Sequence, residues 1–322
     1  MATPEQPEDE IVIEDANGPI DYDVSGAGPT IVLVPGSCST AAAWRPVIAC
    51  WNNQFRCVTT SLPGYGGTAE RRPAGNSSVA YLAEAVETVV SKAGGRIHLV
   101  GHSFGGLVAL AVTLRDRVPL ASLTVVEPPA IELLLECGEH QHYRAFGRMT
   151  ESYVAAFNSG DAEAVAAMID FYGGTGTFAS WPPRVRAYAV ATTAVNIVDW
   201  ASAYGFALSA DILSAVQIPV LVLCGGASHA AMQRLCALLG EGLSRAALAT
   251  VAGAAHFVIA THADEVARLI ARHARDAEAA SPPHAKIAAS SRKNNDVAKD
   301  TGASGCHGAR ARSRDVEQLE PN

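Results

Sequence analysis

The sequence predicts an α/β fold: a mostly parallel, doubly wound sheet with an inserted helical cap. Three observations carry that expectation. Short apolar runs alternate with stretches of helical period through most of the chain, the pattern of a buried sheet covered by helices on both faces. A glycine-rich turn, Gly101-His102-Ser103-Phe104-Gly105-Gly106, joins one such apolar run to one such helix. From about residue 128 to 210 no strand pattern occurs, and 12 of the chain's 20 Phe, Trp and Tyr residues fall between Tyr143 and Phe206.

In chain order, strands are expected at residues 11–14, 20–24, 30–34, 56–60, 97–100, 120–126, 220–223 and 246–251. Helical spacing marks residues 79–92, 105–115, 230–239 and 263–275. The aromatic stretch 128–210 then reads as a helical cap inserted into a core made of residues 11–127 and 211–276. Most of its rings are expected to form the cap's own small core, and a few to line a ligand pocket. Residues 1–10 form an acidic, proline-containing segment, and residues 277–322 are rich in Ser, Ala, Lys, Arg, Asn and Asp. So few large apolar side chains cannot offset the entropy of ordering, so the latter is expected to be a disordered tail.

Composition narrows the function classes. The net charge is −8 over 322 residues, and from residue 277 onward seven Lys or Arg are interleaved with six Asp or Glu. No nucleic-acid partner is expected from that balance. No run approaches the roughly 18 consecutive apolar residues of a membrane span, and the acidic start is the opposite of a secretory leader. The seven cysteines (Cys38, Cys50, Cys57, Cys137, Cys224, Cys236, Cys306) are scattered without C-x-x-C spacing. They read as reduced thiols of a cytoplasmic protein, with no metal and no cofactor called for. Either a monomer or a homodimer is compatible with this pattern.

Chemistry concentrates at the glycine-rich turn. The run Arg96-Ile97-His98-Leu99-Val100 precedes it and Leu107-Val108-Ala109-Leu110 follows, so Ser103 sits on a sharp strand-to-helix turn. Such a turn presents the hydroxyl outside the sheet in a strained backbone, as a nucleophile elbow does. The competing reading is a glycine-rich connection that merely caps the helix. A serine hydroxyl needs a base, and histidine has the suitable pKa. Of ten histidines, His256 is the candidate: it follows the last expected strand, on the carboxyl edge of the sheet where the elbow also projects. His102 lies inside the elbow and reads as a packing or pocket residue.

These residues, with Val34-Pro35-Gly36-Ser37, Leu62-Pro63-Gly64-Tyr65-Gly66-Gly67-Thr68 and Gly253-Ala254-Ala255-His256-Phe257, make residues 20–275 resemble the α/β-hydrolase superfamily, specifically its capped serine hydrolases. The resemblance implies a Ser–acid–His triad in that chain order. The acid usually follows the seventh strand, but here Ala227-Ser228-His229 stands there, and Ser228 fills the expected slot. Between Cys224 and His256 the one carboxylate is Glu241, on a helix and badly placed. In the haloalkane-dehalogenase-like branch a glutamate ending the sixth strand serves instead, and Glu127 stands at that point, after Leu123-Thr124-Val125-Val126. A glutamate there is costly to bury unless paired, and an imidazole supplies the partner. Asp199 and Asp211 are weaker substitutes. The same resemblance implies an oxyanion hole made by the backbone N–H groups of Ser37 and Phe104, with Pro35 replacing the histidine more usual before that glycine.

The expected function is therefore hydrolysis of a carboxylic ester, thioester or lactone of an apolar small molecule through an acyl-enzyme on Ser103. Alternatives are carbon–carbon hydrolysis, perhydrolysis or lyase chemistry on the same fold, or a small-molecule receptor that has lost turnover.

Overall fold

The computed structural model describes residues 11–280, so the expectations for residues 1–10 and for 281–322 lie outside the described residues. Eight strands form one sheet: β1 (Ile11–Asp15), β2 (Gly18–Ser25), β3 (Thr30–Val34), β4 (Arg56–Thr59), β5 (Ile97–His102), β6 (Leu120–Val126), β7 (Val220–Gly225) and β8 (Ala246–Val251). Their spatial order is β1-β2-β4-β3-β5-β6-β7-β8. β1 and β2 are antiparallel additions at one edge, and β4, β3, β5, β6, β7 and β8 run parallel. Parallel strands need crossovers, and helices supply them on both faces.

The core helices are α1 (Arg45–Cys50), α2 (Ala80–Ala93), α3 (Phe104–Arg115), α11 (Ala230–Gly242), α12 (Val258–Thr261) and α13 (Ala263–Ala279). Side chains alternate across each strand, so β3 sends Ile31 and Leu33 into one apolar layer and Val32 and Val34 into the other. The first layer packs α1, α12 and α13, and the second packs α2, α3 and α11. α13 shows why these sequences fold as helices: Val266, Leu269, Ile270, Ala274 and Ala277 recur at helical spacing on its buried side, with Asp264 and Glu265 in its first turn. It continues to Ala279, past the point where the tail was expected to begin. α1 was not foreseen, because six residues are too few for a period to show. Pro46 stands in its first turn, where the fixed φ of proline suits a helix start and its missing N–H costs no intrahelical bond.

Between β6 and β7 the described residues contain helices alone: α4 (Glu132–Glu136), α5 (His140–Asn158), α6 (Val165–Gly173), α7 (Thr177–Ser180), α8 (Pro183–Ala191), α9 (Thr193–Tyr204) and α10 (Ala210–Ser214). Phe146, Tyr153, Tyr172 and Trp200 are buried there, with Phe146 5.4 Å from Phe171 and Tyr172 stacked 6.2 Å from Trp200, ring centre to ring centre. Aromatic burial on this scale gives the insertion a core that continues into the α2–α3–α11 layer. It lies at the carboxyl edge of the parallel strands, the edge where open α/β sheets bind ligands.

Candidate active site

β5 delivers Ser103 to the first turn of α3 with φ 53° and ψ −128°. A non-glycine residue in that region stores on the order of 1–3 kcal/mol of strain, and the surroundings must hold it there. They do so through a hydrogen bond from the Ser103 N–H to the Val126 carbonyl (2.8 Å) and through two glycines. A Cβ on Gly101 would run into the Gly105 carbonyl, and one on Gly105 into the Pro35 carbonyl. The glycine spacing is thus a requirement of close approach among three backbone segments.

His256, on the loop after β8, brings its Nε2 to 2.8 Å from the Ser103 hydroxyl and its Nδ1 to 2.7 Å from Glu127 Oε2. Glu127 directly follows β6, has φ 48°, and is fully buried. Its other oxygen, Oε1, accepts from the Gly225 N–H at 2.6 Å and from the Ser228 hydroxyl at 2.5 Å. Burial works against the charged carboxylate, but His256, Ser228 and the Gly225 amide outweigh it and hold the Glu127 carboxyl below the usual glutamate range. An ionised carboxylate only accepts, so Nδ1 carries the imidazole proton and Nε2 is left to accept from Ser103.

The relation of Ser228 to Glu127 was not legible beforehand. Ser228 occupies the position after the seventh strand where the acid was first sought, and it donates a hydrogen bond to Glu127, the residue just after β6. Ser228→Ala is expected to lower kcat about 10-fold, the scale of losing one hydrogen bond to a buried charge. The linkage runs in a definite direction. The Glu127 carboxyl sits lower in the folded protein than its ordinary 4.5. Its ionised form therefore stabilises the fold above that value, and the stability is lost as pH falls through the folded value. Removing the Ser228 donor weakens this, so urea unfolding at about pH 7 and about pH 3 should give a smaller difference for the variant than for the wild type.

His102 is neutral and structural: burial, with help from the neighbouring His256, pushes it down to about 3. Its Nε2 lies 2.9 Å from the His256 carbonyl, which only accepts, so His102 donates and fixes the backbone of the candidate base. Tyr172 of α6 stacks flat on the His256 ring, 4.0 Å between centres, an arrangement that the sequence did not disclose. Glu241 is exposed on α11 and pairs with Arg234 at 3.0 Å, and Asp211 is exposed in α10. Asp199 is buried, but its contacts are with Ser37, Tyr65 and Arg72.

Above Ser103 lies a cavity of about 650 Å³, lined by Trp181, Tyr188 and Trp200 from the insertion and by Phe257, Ile259 and Ala260 from the core. Its size and apolar walls suit a small organic ligand. Gly36 and Ser37 lie on one side, and a Cβ on Gly36 would sit 3.0 Å from that of Ser103, so glycine lets this loop reach the elbow. Among the described residues the N–H groups of Ser37 and Phe104 donate to no protein group, and Phe104 opens α3, whose N-terminal dipole favours negative charge. Cys38 also lines the cavity, but burial pushes its thiol up to about 12, so it stays protonated beside Ser103. No cluster of metal-binding side chains occurs among the described residues.

Residues 31–269 match the family model described as the alpha/beta hydrolase family. The chain belongs to that family. Within it, similarity extends to a pimeloyl-[acyl-carrier protein] methyl ester esterase of Vibrio cholerae, 32% identical over 105 residues, spanning 33% of this chain and 39% of that one. A putative carbamate hydrolase RutD of Variovorax paradoxus is 29% identical over 168 residues, 47% of this chain and 62% of that protein. The matches therefore cover less than two thirds of these relatives' lengths. Among solved structures, MenH from S. aureus superposes with a TM-score of 0.64 at 14% identity, covering 80% of this chain and 98% of that one. A thermophilic esterase from Thermogutta terrifontis gives 0.66 at 18% identity, covering 83% and 98%. At these identities the likeness is one of fold. No helix among the described residues is long and apolar enough to cross a membrane.

Proposed function

We propose that this member of the family is a serine hydrolase that cleaves carboxylic esters, thioesters or lactones through an acyl-enzyme on Ser103. One observation carries the reading: the Glu127–His256–Ser103 chain, with links of 2.7 and 2.8 Å, at the floor of an apolar cavity. His256 Nε2 takes the Ser103 proton as Oγ attacks the substrate carbonyl carbon. The developing oxyanion is met by the N–H groups of Ser37 and Phe104 and by the N-terminus of α3. His256 then returns the proton to the leaving alcohol or thiol, and the acyl group remains on Ser103. A water molecule, deprotonated by the same Nε2, attacks the acyl carbon and releases the acid.

A serine nucleophile excludes the alkyl-ester route to dehalogenation, because an alkyl ether on Ser103 would not be hydrolysed. The aromatic and aliphatic walls favour an apolar acyl part, and the ester and carbamate named for the two relatives are both substrates of acyl transfer. The test is covalent labelling. A fluorophosphonate should add to the wild-type protein at Ser103, and p-nitrophenyl acetate, butyrate and octanoate should be turned over with different kcat/KM values. A wild-type protein that neither labels nor hydrolyses any of the three overturns the reading and leaves the receptor alternative.

A further inference from the structure

Asp199 is a buried carboxylate that lines the cavity, and its hydrogen bonds do not include His256. It belongs to α9 of the helical insertion, yet its bonds reach back to two loops of the core. Oδ2 accepts from the Ser37 hydroxyl at 2.5 Å and from the Tyr65 hydroxyl at 2.6 Å. Oδ1 accepts from Arg72 at 2.8 Å, and both side chains of that ion pair are 2% exposed. Arg72 is held in turn by Glu70, with Nη2 2.6 Å from Oε2 and Nε 2.9 Å from Oε1. A carboxylate is costly to bury, and burial pushes Asp199 up to about 6 against the pull of Arg72, Ser37 and Tyr65. Arg72 pairs with one oxygen of this carboxylate, and the other is given to the Ser37 and Tyr65 hydroxyls.

Ser37 carries one of the two free N–H groups beside Ser103. Pro35 and Gly36 are buried against the elbow, and the Ser37 side chain is tied through its hydroxyl to Asp199. Pro35 offers no side-chain hydrogen bond, Gly36 has no side chain, and the next residue, Cys38, has φ 55°. An oxyanion donor acts only when it is already aimed, and a misplacement of about 1 Å in such a site is worth orders of magnitude in rate. A charged acceptor gives the strongest hydrogen bond available for locking a hydroxyl. We propose that Asp199 is a positioning residue of the oxyanion hole: by accepting the Ser37 hydroxyl it aims the Ser37 N–H, and so makes that donor depend on the seating of α9 over the site. The inference rests on the serine-hydrolase reading above. It assigns the Ser37 hydroxyl to the loop's alignment, with its proton directed at Asp199 and away from substrate.

The test compares Ser37→Thr with Ser37→Val, two side chains of nearly one shape that differ in the hydroxyl, together with Asp199→Ala and the Ser37→Val/Asp199→Ala double variant. Each is assayed with p-nitrophenyl butyrate for kcat and KM, by the rate of fluorophosphonate labelling, and by thermal melting. Ser37→Val should be roughly 10- to 100-fold slower than Ser37→Thr in kcat and in labelling rate, with KM little different between the two. Asp199→Ala should show the same kcat-only loss, and the double variant should be no slower than the slower single, because both substitutions cut one link. If Asp199→Ala fails to fold, the threonine and valine pair still decides. Equal kcat for Ser37→Thr and Ser37→Val, or losses that multiply in the double variant, overturns the inference while the labelled wild type leaves the hydrolase reading standing. An unlabelled, inactive wild type overturns that reading first.

Discussion

Ser103→Ala is expected to lower kcat on the order of a million-fold, the scale at which removing a triad nucleophile leaves only binding and oxyanion stabilisation. The physical reason is that no neighbouring group replaces the hydroxyl. Cys38 lines the cavity with a thiol that burial keeps protonated, and Ser37 donates its own proton to Asp199. The backbone at position 103 is held by the Val126 carbonyl and by the close approaches at Gly101 and Gly105, none of which involves the side chain. The variant should therefore fold normally and retain affinity for a product acid or a non-reacting ester analogue. It should also lose fluorophosphonate labelling. Residual activity above about 1% of the wild type, or undiminished labelling, would place the nucleophile elsewhere.

Glu127→Gln is expected to cost roughly 1,000- to 10,000-fold in kcat with the fold intact. The direction follows from hydrogen-bond inventory. The Gly225 N–H and the Ser228 hydroxyl both point at Oε1, so the amide oxygen of glutamine must take that side. Its NH2 group then faces His256 Nδ1, which has to become an acceptor. The imidazole proton moves to Nε2, the nitrogen that should receive the proton of Ser103. Glu241→Gln serves as the control, because Glu241 is exposed and touches Arg234 alone among the ion pairs described. It should remain within about 2-fold of the wild type. Equal losses from the two substitutions would mean that Glu127 does not orient His256. A second readout is available in stability, since Glu127→Gln removes an ionised group held below its ordinary range. The variant should lose the component of acid destabilisation that sets in as pH falls below that range.

Several of these positions were legible because their signals are local. The apolar run ending in Gly101, the serine, and the small residues after it describe a strand, a turn and a helix within about a dozen residues. The same holds for His256, which follows an apolar strand and precedes an amphipathic helix. Glu127 was legible by a different route: the resemblance to the haloalkane-dehalogenase-like branch pointed to the end of the sixth strand, and the cost of burying a charge after so apolar a strand supported it. The helical character of residues 128–210 was visible in the loss of strand alternation and the density of rings. By contrast, α1 is too short to carry a period, and nothing in the surroundings of Ser228 or Asp199 hints at their partners. Ser228 meets Glu127 across 101 positions, Asp199 meets Ser37 across 162, and Tyr172 reaches His256 from a helix inside the insertion. Tyr65 was read only as part of a loop pattern and Arg72 was not singled out, and their bonds to one carboxylate of α9 became visible in three dimensions.

By itself the sequence determined what each short segment does with its own backbone: the parallel sheet, the helix-bearing insertion, the strained turn at Ser103, and the need for something to neutralise Glu127. These follow from period, glycine placement and the cost of burying charge, which act over a few residues. Only the tertiary structure decided which distant groups meet. It brought β6, the β7–α11 loop and the β8–α12 loop together at the sheet edge, so that Glu127, Ser228 and His256 share one hydrogen-bonded line. It also seated α9 on the β3 and β4 loops, so that Asp199 gathers Ser37, Tyr65 and Arg72. Such meetings depend on how layers pack and on distances of a few tenths of an ångström, quantities to which spacing along the chain is blind.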